Sequence, residues 1–96
     1  GNPSEKRQQT WQPVLEINLP TLLIWRGHKF RFYASDGPEP PHVHIVKDSK
    51  SAKVWLRSME IDYLQGYSER EMRELMAVIA ENRDAWIGAW NDFFGI

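Results

Sequence analysis

The chain contains no cysteine in its 96 residues. That excludes a disulfide framework and any thiolate metal site, and it fits a reducing compartment. An excess of charge is also missing. Twelve Lys and Arg stand against thirteen Asp and Glu, for a net charge of −1. No bulk attraction to nucleic acid or to an anionic membrane follows, and any basic surface has to be local. No apolar run approaches the roughly 20 residues of a membrane span. The polar N-terminus lacks the apolar stretch of a signal peptide, so the expectation is a soluble cytoplasmic protein without a membrane partner. No Gly-rich phosphate loop, Ser-His-Asp order or His-Glu-x-x-His helix occurs, and no cofactor is expected.

Aromatic residues, by contrast, are plentiful. Five tryptophans and four phenylalanines give a small single domain a large apolar payload. Residues 1–19 begin polar and read as a flexible or docking arm; residues 20–96 read as one α+β domain. Within it Thr21 to Trp25 is rich in β-formers and ends at an Arg26-Gly27 turn signal. His28 to Ala34, His42 to Lys47 and Ala52 to Arg57 alternate with a period of two, and Met59 to Tyr63 is a candidate short fifth strand. The prediction is an antiparallel meander of about four strands.

Ser68 and Glu71 then form a capping box. Met72, Leu75, Met76, Ile79, Trp86, Ile87, Trp90 and Phe94 recur at helical spacing, which predicts one long C-terminal helix packed on one face of the sheet. A helix of about 26 residues spans roughly 39 Å and would overhang the sheet. Its aromatic C-terminal half therefore calls for a further cover, from the N-terminal arm or a second subunit. A homodimer or a small cognate protein partner is the corresponding expectation.

Alternation assigns the two sheet faces. Phe30, Phe32, Val43, Ile45, Val54 and Leu56 share the side that a helix would bury. Lys29, Arg31, Tyr33, His42, His44, Lys53 and Trp55 share the other, because residues i and i+2 of a strand point the same way. A face of cations and flat rings is suited to single-stranded nucleic acid, with Lys29, Lys53 and Trp55 as contacts and RNA as the candidate partner. The plainer reading of the same face is a solvated sheet surface.

The densest chemistry lies in Pro40-Pro41-His42-Val43-His44, after Arg31, Tyr33 and Asp36. Two histidines can serve as general base and general acid for metal-independent phosphodiester cleavage. Arg31 would stabilise developing charge, Tyr33 would orient the substrate and Asp36 would fix a histidine tautomer. The plainer reading is a proline-stiffened corner whose imidazoles satisfy nearby carbonyls. His42 and His44 also have a metal-ligand spacing, with Asp36 or His28 as a third donor. His28 has the parity of Phe30 and Phe32, however, so a regular strand aims it elsewhere; no metal is assigned from sequence.

From Pro20 to about Phe94 the chain resembles a family of small prokaryotic proteins catalogued as domain of unknown function 4160. The resemblance rests on Pro20-Thr21, Arg31-Phe32-Tyr33 with Asp36, Pro40-Pro41-His42-Val43-His44, Gly66 and Trp90. It implies a small cytoplasmic α+β domain, often one half of a two-gene cassette resembling a toxin–antitoxin module. It attaches no reaction. A non-enzymatic oligomeric or adaptor domain and a small His-based metal-binding domain are the alternatives to an RNA-directed component.

Overall fold

The computed structural model describes residues 21–95; the expected arm at 1–19 lies outside them. Five strands form one antiparallel meander in sequential order: β1 (Thr21–Trp25), β2 (His28–Arg31), β3 (His42–Lys47), β4 (Lys50–Trp55) and β5 (Ile61–Gln65). A short 3-10 turn, η1 (Ala34–Asp36), lies between β2 and β3, and one helix, α1 (Glu69–Phe94), follows the sheet. The architecture is thus the expected α+β meander with a long C-terminal helix, with the candidate fifth strand realised at Ile61–Gln65.

Local chemistry explains the joints. Arg26 and Gly27 both take positive φ, 51° and 82°, between the paired residues Trp25 and His28. That is the two-residue hairpin whose twist matches the flanking strands. The second strand was expected to run to Ala34 but ends at Arg31, because Tyr33 turns into η1 and the prolines beyond cannot supply ladder donors. The helix opens as the capping box predicts: the Glu71 N–H donates to Ser68 Oγ at 3.1 Å, and the Ser68 N–H donates to Glu71 Oε1 at 2.8 Å. Lys50 Nζ donates to Glu71 Oε2 at 2.6 Å, which ties the helix start to β4 and holds the Glu71 carboxyl down at about 2.

The core lies between the sheet and α1. Phe30, Phe32, Val43, Ile45, Ala52, Val54 and Leu56 are fully buried against Met72, Leu75, Ile79, Trp86 and Trp90. Phe30 meets Trp86 with ring centroids 5.3 Å apart, and Phe32 meets Trp90 edge-on at 5.0 Å. Each side chain of this size contributes roughly 1.5–3 kcal/mol when fully buried. Arg83, close to the helix's apolar stripe, reaches sideways and donates to the Arg57 carbonyl at 3.0 Å.

The aromatic end of the helix packs on the loop between β2 and β3. The 34–41 loop folds beneath it: a Cβ on Gly37 would stand 2.8 Å from Phe94 Cδ1, and Phe94 also contacts Phe32 and Trp90. The chain's own proline-stiffened connection thus contributes to the packing of Phe94, while Phe93 remains exposed. No helix among the described residues is long and apolar enough to cross a membrane.

Candidate metal centre

Register sets out the site. Arg31 of β2, His44 of β3, Lys53 of β4 and Tyr63 of β5 are successive cross-strand partners. They form one row across the sheet, with the parity opposite to the core. His42 precedes this row, beyond the last residue of β2 that pairs with β3. β4 still pairs with it through Trp55 but β2 has ended, and its ring lies 5.0 Å from Trp90 of the helix and 5.2 Å from Trp55. The expectation that both imidazoles stand on the bare face therefore holds for His44 alone. His42 has no exposed surface at all, because Trp90 closes over it.

Asp36 joins the two histidines. The 3-10 turn is stapled by the Tyr33 N–H, which donates to Asp36 Oδ2 at 2.8 Å. This directs the carboxylate inward, where Asp36 is 8% exposed. Asp36 Oδ1 lies 3.2 Å from His42 Nε2, and Oδ2 lies 3.2 Å from His44 Nε2. One donor atom from each residue lies within 4.8 Å of the others. Tyr33 itself sits outside β2, with its ring 4.5 Å from the His44 ring and beneath the Arg31 guanidinium at 4.6 Å.

The hydrogen bonds fix which nitrogens carry protons. His42 Nδ1 lies 2.9 Å from the Pro40 carbonyl oxygen. A carbonyl can only accept, so Nδ1 carries a proton, and in the tautomer with that single proton Nε2 presents a lone pair. That Nε2 is buried and makes no hydrogen bond, although a carboxylate oxygen stands 3.2 Å away. Two lone pairs facing each other off a hydrogen-bond line call for a cation between them. His44 differs: its Nε2 is within hydrogen-bonding geometry of Asp36 Oδ1 at 3.3 Å, and its Nδ1 meets the Tyr63 hydroxyl at 3.4 Å. A carboxylate accepts, so this Nε2 carries a proton here, and ligation requires that proton to move to Nδ1, which can donate to the Tyr63 hydroxyl. Burial is the largest influence on the His44 pKa and, with His42 and Lys53, lowers it although Asp36 acts the other way.

Of the residues assigned to nucleic acid, Lys53 and Trp55 are in contact and Lys29 lies apart. Lys29 is exposed and sits away from the centre, opposite Val46. Lys53 is buried, and its Nζ donates to Glu39 Oε1 at 2.7 Å and lies 3.5 Å from Asp62 Oδ2. Burial opposes its charge, but the two carboxylates outweigh it and its pKa is raised. Its ammonium is thus committed within the protein. Trp55 carries that ammonium 4.5 Å from its ring and lines a groove of about 340 Å³ with Pro40, Pro41, Arg57, Ser58 and Glu60; no member of the Asp36–His42–His44 cluster lines it.

His28, the other possible third ligand, points to the helix side as its parity predicts and places Nδ1 3.0 Å from the Tyr67 hydroxyl. Sequence reasoning missed Glu39, Asp62 and Tyr63. Tyr63 alone had a usable signal, since a fifth strand in register puts it beside Lys53.

Residues 27–91 match the family described as Domain of unknown function (DUF4160). The chain belongs to the DUF4160 family. The match spans β2 to nearly the end of α1, so the whole Asp36–His42–His44 cluster lies within the DUF4160 domain. No curated protein and no solved structure matches the chain.

Proposed function

We propose that this DUF4160 domain binds one divalent transition-metal ion through Asp36, His42 and His44. The observation that carries the reading is the His42 ring: fully buried, held at Nδ1 by the Pro40 carbonyl, with an unpartnered Nε2 facing a carboxylate. Metal-ligating histidines characteristically donate their other N–H to a carbonyl or similar acceptor. The spacing agrees. Bonds of about 2.0–2.2 Å to nitrogen and oxygen place adjacent donors about 2.8–3.6 Å apart, and both Asp36–histidine separations are 3.2 Å.

Two imidazoles and one carboxylate suit zinc, iron(II), cobalt(II) or nickel(II) better than the oxygen-loving magnesium and calcium. Three protein ligands leave a coordination position for water or a substrate, the pattern of reactive rather than structural zinc sites. This reading places the activity in Lewis-acid chemistry at that position instead of in a pair of histidines acting alone. A polymer cannot touch His42 in this fold, and Lys53 is neutralised by Glu39 and Asp62, so the geometry lends less to metal-independent RNA cleavage.

The test is direct. Metal-free protein titrated with zinc in a calorimeter should bind one equivalent. His42→Ala, His44→Ala and Asp36→Asn should each weaken binding by more than the roughly 10- to 100-fold that loss of an outer-sphere partner costs. A stoichiometry near zero for the folded wild-type protein would refute the assignment.

A further inference from the structure

Building on the metal reading above, we infer that the open coordination position faces a subsite for a small oxyanion, a phosphate or a carboxylate, with Arg31 as its cation. Arg31 is the cross-strand partner of His44, and its guanidinium rests over the Tyr33 ring that also contacts the His44 ring. These contacts hold the cation beside the ligand set on the helix-free side of the sheet. The aromatic face fixes the guanidinium plane without consuming its hydrogen-bond donors.

The polar accounting points to a missing partner. Three buried side-chain atoms without a hydrogen bond among the described residues are Arg31 Nε, His42 Nε2 and Trp90 Nε1; Arg31 is the cross-strand partner of His44, and the Trp90 ring lies 5.0 Å from that of His42. A buried donor left unpaired is costly, and such groups call for an explanation such as an ion or an ordered ligand. The metal answers His42. Arg31 still needs an acceptor, and none of the ion pairs among the described residues involves it, whereas Lys53 on the same row is held by two carboxylates.

Charge gives the coupling its sign. With neutral imidazoles, the charged groups on the histidines and on their row are Asp36, Glu39 and Asp62 against Lys53 and Arg31, three negative and two positive. The empty centre is therefore negative by one and disfavours an anion. A divalent ion makes it positive by one and favours an anion. Oxyanion binding should depend on the metal, and by linkage the anion should tighten the metal to the same degree. A fork-shaped guanidinium then takes one edge of the oxyanion while the ion takes another oxygen.

Cobalt(II) provides a readout independent of any activity, because its visible spectrum responds to a change in its ligands. Cobalt-loaded wild-type protein is titrated with inorganic phosphate and, separately, with acetate. At least one anion should shift the bands saturably, the stronger of the two identifying the class, and metal-free protein should show no heat of binding with either. Arg31→Met should weaken the anion about tenfold or more, and Arg31→Lys less, while both variants still bind cobalt one-to-one in the anion-free buffer, Arg31→Met no more weakly than wild type because it removes a neighbouring positive charge. Circular dichroism checks the fold of both. Cobalt that binds one-to-one but ignores both anions, or anion binding untouched by either Arg31 substitution, overturns this inference alone. Failure of cobalt to bind at all overturns the metal reading with it.

Discussion

At the residue scale, this domain uses histidine in two different ways. His42 and His44 face a carboxylate, whereas His28 is buried on the helix side, in contact with Tyr67 and Trp25. Burial lowers the His28 pKa, and Lys47 lowers it further; the same burial pushes the Tyr67 phenol up to about 12. A folded-state pKa below the unfolded value means that the unfolded chain takes up a proton the native state refuses. Stability is then complete above the unfolded value of 6.5 and declines as the pH falls below it. In urea titrations at pH 8 and pH 5.5, the wild type should lose more stability than His28→Gln, because the substitution removes one of the groups that titrates. An equal or larger loss in the variant would contradict this assignment.

At the scale of elements, the decisive contact is between the 34–41 loop and the end of α1. Gly37 follows Asp36 directly, with an ordinary helical φ of −53°, so the backbone does not require glycine there. Space does, since a Cβ would collide with the Phe94 ring. Gly37→Ala should therefore displace either the ring or the turn and cost about 1–3 kcal/mol. Because the turn holds Asp36, zinc affinity should fall as well. Urea unfolding and zinc titration of the same variant check both halves, and unchanged stability would show that Phe94 rotates away freely. The turn thus packs against the end of α1 through Gly37 and Phe94 and carries Asp36, the carboxylate of the proposed metal site, in the adjacent position.

At the scale of the molecule, the proposed metal binding would be linked to stability, because Asp36 comes from η1, the two histidines from β3, and His42 is covered by α1. Zinc held at about a hundred times its dissociation constant should stabilise the fold by about 2.7 kcal/mol. That corresponds to a rise in Tm of roughly 10–20 °C for a domain of this size. Scanning calorimetry should show the rise in the wild type and little or none in His42→Ala. A metal-independent Tm in the wild type would sever the link.

Much of this architecture was legible in the sequence because it follows from short-range rules. Period-two alternation separated Phe30, Val43, Ile45 and Val54 from Arg31, His44 and Lys53. The Ser68–Glu71 box marked the helix start to the residue. Parity also removed His28 from the site and brought His44 beside Arg31. What alternation could not see was any residue outside a regular element. Asp36 reaches both histidines only because a 3-10 turn, held by the Tyr33 N–H, curls back over the strand end. His42 leaves the bare face because β2 stops short and Trp90 fills the space.

The sequence by itself determined the meander, its buried face, the long capped helix and the pair of imidazoles at a ligand spacing, since each depends on side chains a few positions apart. Only the tertiary structure decided that a carboxylate joins the two imidazoles, that Lys53 is neutralised by Glu39 and Asp62 and that Arg31 Nε is left buried without a hydrogen bond. Those outcomes depend on which distant segments meet and on which charges are then buried together, and no local period records either.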